Sequence, residues 1–144
     1  MSWALVVGVA ILGGLAVSTQ AQLIGDIDRR VGTIQAVFVT YATGGLLIAG
    51  ILLVSGGFEV DRVRALPWYS WMAGLTGLVI IGSISYGASR IGVVRTLTLV
   101  TMAQFGFAAA IDHFGLMGAE VRTIDGGGIL GLLLLSAGTW LVLR

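Results

Sequence analysis

Five long apolar runs, separated by short polar or glycine-bearing segments, divide the chain from end to end. The first is free of charge from Ser2 to Gly25, and the second extends from Val31 to Gly57. The third opens at Pro67 and closes before Arg90, the fourth covers Val93 to Gly115, and the fifth runs from Gly126 to Leu143. About 20 apolar residues cross the hydrocarbon core of a bilayer. The pattern therefore predicts an all-α integral membrane protein in a single domain, with five transmembrane helices over spans of about 3–24, 32–55, 67–88, 92–112 and 127–143. The links are predicted as a charged turn from Asp26 to Arg30, a loop from Phe58 to Leu66, an almost immediate connection from the third helix to the fourth, and a polar loop carrying Glu120, Arg122 and Asp125. No basic residues precede the first run, and it outlasts the apolar region of a signal peptide, so it reads as a retained helix.

Small residues and aromatics recur along these runs. Ala10, Gly14 and Ser18 fall four apart, Ala73 pairs with Gly77, and Gly127 with Gly131. Such stripes let another backbone approach closely. Pro67 suits the first turn of the third helix, where its missing donor costs nothing. Trp68, Tyr69 and Trp71 follow as an aromatic belt, the alternative being a ring stack for a cationic ligand. Trp3 and Trp140 mark other interfaces.

Polar side chains inside the runs are the candidates for chemistry, because hydrocarbon offers them no water and each needs a protein partner or a wet cavity. Gln104 sits near the middle of the fourth run and serves either as glue between helices or as a hydrogen-bonding group for a substrate. Gln20 lies deeper than Gln22 at the end of the first run. Tyr41 and Gln35 stand on different faces of the second helix, and Tyr86 adds polarity to the last turns of the third. The candidate substrate-contacting set is thus Gln104, Gln20, Tyr41, Tyr86 and Trp71. Asp112 and His113 read as a helix end closed by Gly115, or else as a proton-handling or gating pair. Gln104 and Asp112 are eight residues apart on one half of their helix, so one cavity could reach both. Arg95 is expected to snorkel to the surface.

Composition excludes a soluble fold: 57% of the 144 residues are hydrophobic, 10% are charged, and the mean hydropathy is +1.02. With no cysteine and one histidine, no disulfide, metal site or cofactor is expected. The net charge of +1 comes with thinly spread arginines, which argues against nucleic acid. Five spans put Arg62, Arg64 and Arg122 on the side of the N-terminus and Arg29, Arg30, Arg90, Arg95 and Arg144 on the other. That imbalance favours a cytoplasmic C-terminus only weakly, and so permits insertion both ways round. Five helices enclose little pathway alone, whereas an antiparallel homodimer would bring two inverted copies around one site.

The segments LPWYSWMAGLTG, from Leu66 to Gly77, and AQFGFAAAIDHFGLMG, from Ala103 to Gly118, resemble the signature regions of the YdcZ-type, half-size branch of the drug/metabolite transporter superfamily. Pro67, Trp68, Tyr69, Trp71, Gly74 and Gly77 match the first region, and Gln104, Asp112, His113, Phe114 and Gly115 match the second. Gln20 stands where an Asn is expected, Ala103 where a Gly often precedes the Gln, and Gly126 to Gly128 replace a more basic entry to the last helix. The resemblance implies half of a ten-helix transporter in the inner membrane, moving a small molecule, with the first four helices lining the path and the fifth lying to the side. Small multidrug exporters of that superfamily couple to protons through a buried Glu. The first three spans here hold no acid, so that route is not expected, and a neutral or anionic substrate held by amides and hydroxyls has equal weight. A small inverted-dimer channel and a non-transport scaffold remain rival classes. An enzyme does not, since no constellation for hydrolysis assembles around the single histidine.

Overall fold

Apolar length dominates the architecture. The structure, a computed structural model, describes residues 2–144 apart from the side chain of Met117. Five helices are long and apolar enough to span a membrane: α1 (Trp3–Val31), α2 (Thr33–Val54), α4 (Met72–Ile91, led in by a 3₁₀ turn over Trp68–Trp71), α5 (Val93–Phe114) and α6 (Gly126–Leu143). A short helix, α3 (Val60–Arg64), interrupts the loop between α2 and α4.

Several local expectations are corrected. The stretch from Asp26 to Arg30 is not a turn but the end of α1. Asp26 pairs with Arg29 at 3.3 Å and Arg30 at 2.9 Å along the helix surface, and both arginines complement the negative end of the helix dipole. The chain instead reverses at one residue, Gly32, with φ 90° and ψ 162°. Gly92 joins α4 to α5 with φ 87° and ψ 160°. That corner of backbone space is essentially closed to any residue with a Cβ. Pro67 does not open an α-helix directly either, because the 3₁₀ turn intervenes. The last helix begins at Gly126 because Asp125 caps it, its Oδ1 accepting from the Gly128 amide at 2.7 Å. Gly115 closes α5 as expected.

The two single-glycine hairpins, α1–α2 and α4–α5, cross in a two-fold-like manner. Gly25 and Ser85 each stand seven residues before their glycine, and Asp28 and Ala88 each stand four before it. Gly25 packs on Ala88, so closely that a Cβ there would lie 3.0 Å from the alanine methyl. Asp28 in turn meets Ser85.

Burial is confined to that end. Ala21, Ile24, Ala36 and Ile84 form the core, with Ile27, Ile81, Val93, Leu97 and Val100 packed against it, all within eleven residues of Gly32 or Gly92. Beyond it, every residue of α1 from Trp3 to Gln20 is exposed, with only an open groove against α2 at Ala16, Thr19 and Gln20. The Ala10–Gly14–Ser18 stripe is therefore unused within the protomer. The bundle is shut at the end bearing Gly32 and Gly92 and open at the other.

Candidate functional site

Depth sorts the polar candidates. Gln20 lies twelve residues before Gly32, and Gln104 twelve residues after Gly92. At 1.5 Å per residue both amides sit about 18 Å from the closed end, near mid-membrane. Gln104 continues the row of Val93, Leu97 and Val100, which faces the core, but lies where the bundle has opened and is exposed. Gln20 lines a groove of about 520 Å³ between α1 and α2, with Thr19, Thr40 and Thr43 among its walls. Those three hydroxyls donate to carbonyls of their own helices at 2.7–2.9 Å. Among the described residues, no hydrogen bond engages either amide side chain.

The other candidates do not converge there. Tyr41 is 39% exposed and docks on the third span, its hydroxyl 2.5 Å from where a Cβ on Gly77 would stand. Tyr86 belongs to the closed end, with the Arg90 guanidinium 3.5 Å above its ring. Trp71 is exposed beside Trp68 and Tyr69, near the opposite membrane face. Asp112 lines a crevice of about 570 Å³ between α5 and α6 together with Arg122 and Asp125, and Gln104 does not line that crevice. His113 Nδ1 accepts from the Ile124 amide at 3.5 Å, and the Arg122 amide donates to the Asp112 carbonyl at 2.9 Å. Both contacts fasten the loop ahead of α6 to the end of α5.

The residue missed by sequence reasoning is Asp28. It is only 6% exposed and lies in the last turns of α1, past the expected span of 3–24, where the sequence suggested a charged turn. Its Oδ2 accepts from Thr33 Oγ1 of α2 at 2.7 Å and from Ser85 Oγ of α4 at 2.8 Å, while Arg90 Nη1 lies 3.5 Å from Oδ1. Arg90 also donates to Ser89 Oγ and to the Tyr86 carbonyl. One carboxylate therefore joins three helices. Its neighbours Asp26, Arg29 and Arg30 disguised it as part of a solvated turn.

Five membrane-length apolar helices describe a multi-pass membrane protein, and comparison with known proteins narrows that class. The family described as "Putative inner membrane exporter, YdcZ" matches residues 5–141. The chain belongs to that family. In general terms the YdcZ chain is therefore a membrane transporter, multi-pass and located in the inner membrane, which is not an enzyme class. No curated protein and no solved structure matches it.

Proposed function

We propose that this YdcZ-family chain moves a small polar molecule by alternating access, as an antiparallel homodimer whose shared site is built around Gln20 and Gln104. The observation that carries this reading is the pair of exposed amides at one depth, neither of them hydrogen-bonded among the described residues. An amide in hydrocarbon demands a partner or water. A second copy facing the open half supplies both, by covering the opening and enclosing a wet cavity. The five arginines at one end and three at the other suit a chain that inserts in both orientations. No charged residue of the described helices stands at the depth of the amides. The site thus favours a neutral solute that both donates and accepts hydrogen bonds over a bare cation. Tyr41 sits closer to this site than Trp71 or Tyr86, which flank the two mouths.

Gln104→Leu tests the proposal. The variant should purify as the same oligomer and keep its melting temperature, while solute flux into liposomes falls at least about tenfold, the scale set by losing one buried hydrogen bond. Unchanged flux reduces Gln104 to a packing residue. A melting-temperature screen against neutral, anionic and cationic metabolites names the substrate class, because a ligand that binds only the folded state raises apparent stability by mass action.

A further inference from the structure

The polar cluster at the closed end takes no part in holding a substrate at the amides. Asp28 is the buried carboxylate among the described residues, and it draws its partners from helices far apart in the chain: Thr33 from α2, and Ser85 and Arg90 from α4. It stands in the closed end of the bundle, four residues from Gly32, with the core residues Ile24 and Ala21 between it and the amide-bearing half. Every other charge nearby is otherwise engaged or turned away. Asp26 holds Arg29 and Arg30 on the outer surface of α1, α2 contains no charged residue, and Arg95 of α5 is exposed. Tyr86 lies beneath the Arg90 guanidinium.

We propose that the Asp28 cluster is the gate on the arginine-rich side of the transport path, and that a proton taken up by Asp28 opens it; this deepens the transporter reading and rests on it. An ionised carboxylate binds two hydroxyls and a guanidinium with charge-assisted strength, and so clamps α1 to α2 and α4. A protonated one becomes a donor on one oxygen and loses the attraction of Arg90, which keeps its bonds to Ser89 and to the Tyr86 carbonyl. The clamp then keeps only neutral hydrogen bonds and apolar packing, which hold less strongly. α1, exposed from Trp3 to Gln20, pivots at the contact of Gly25 with Ala88, and the way from the amides to water on the arginine side opens. The proton comes from that water. At 29 residues α1 is about 43 Å long, so its last turns reach the interface of a hydrocarbon core of about 30 Å. Substrate movement and proton uptake are thereby linked through one carboxyl.

The chain has no cysteine, so Ile24→Cys, at a fully buried position just below the cluster, gives a single thiol reporter in the purified full-length protein. Its labelling rate with a small maleimide, divided by the thiolate fraction read from that protein's own thiolate absorbance, is compared at each pH between the Asp28 and Asp28→Asn backgrounds, so that the effect of the lost charge on the thiol is removed. The expected ratio is about tenfold or more at pH 8, the effect of losing a hydrogen bond to a charged group, and it falls toward one as the pH is lowered. A ratio near one at pH 8 overturns the gate. A second reporter, Ser55→Cys at the far end of α2, should label equally in both backgrounds, which separates gate opening from general unfolding. If the Asp28→Asn protein does not fold, Ser85→Ala carries the test by removing one bond between α1 and α4 while keeping the carboxyl. Faster labelling than in the Ser85 background at pH 8 is expected, and an equal rate overturns the proposal. Because the reporter needs no substrate, a responsive gate in a protein that moves no solute in liposomes sinks the transporter reading alone. Flux with an unresponsive gate sinks this inference alone.

Discussion

Gly14 and Gly25 lie on the same helix eleven residues apart, and their surroundings differ completely. Nothing stands within 4 Å of a Cβ placed on Gly14, whereas one on Gly25 would meet the Ala88 methyl at 3.0 Å and its backbone carbon at 3.3 Å. Gly14→Ala is therefore expected to be neutral or to stabilise by up to about 1 kcal/mol, because alanine is the better helix former. Gly25→Ala forces α1 and α4 apart and is expected to cost about 1–3 kcal/mol. Thermal melts of the two variants in one detergent check the contrast, and equal shifts would mean the crossing is looser than drawn. The sequence marked Ala10, Gly14 and Ser18 as the close-packing stripe of this helix because spacing alone was visible. Eleven residues are about three helical turns, so Gly14 and Gly25 share a face; spacing shows that face but not the depth along it at which a neighbour packs.

The hairpins are the units in which the chain is built, and each depends on a single glycine. Gly32→Ala and Gly92→Ala must each strain a backbone with φ near 90° and ψ near 160°, at a cost of about 1–3 kcal/mol or a displaced helix pair. Both variants should melt lower than the parent, and Gly92→Ala should also disturb Thr96, whose hydroxyl and amide both bond to the Gly92 carbonyl. At the other end of the chain, Asp125→Ala removes the cap of α6 and is expected to cost about 1 kcal/mol, read as faster hydrogen exchange over the first turn of that helix. The extra length of α1 also belongs to this scale. A run of Asp, Asp, Arg and Arg resembles a loop, yet its charges pair at helical spacing and the helix continues through them.

For the whole molecule the telling feature is asymmetry along the membrane normal. The buried core lies toward the arginine-rich end, and α1 is exposed from Trp3 to Gln20, so an isolated protomer leaves polar amides facing hydrocarbon. An inverted second copy resolves this if the membrane holds both orientations. Single cysteines placed at the N-terminus and at the C-terminus should then both react with an impermeant reagent applied to intact cells, each in about half of the molecules. Labelling of one terminus alone rules out dual topology and leaves a parallel or mixed partner to cover the open half.

By itself the sequence determined that the chain crosses the membrane five times, about where each helix lies, that Gly115 ends α5, and that Gln20 and Gln104 are its deepest amides. Each of these follows from local terms: the transfer energy of about 20 consecutive side chains, the breaking of a helix at glycine, and the scarcity of polar groups in an apolar run. Only the tertiary structure decided that Asp28 is buried, that Gly25 rather than Gly14 carries a helix crossing, and that Asp112 lines a crevice against α6. Those outcomes depend on contacts such as that between Asp28 and Ser85, whose partners are 57 residues apart. Two apolar helices can pack through many of their faces at similar energy, so the periodicity of each one names its candidate faces, and the crossing of the hairpins selects among them.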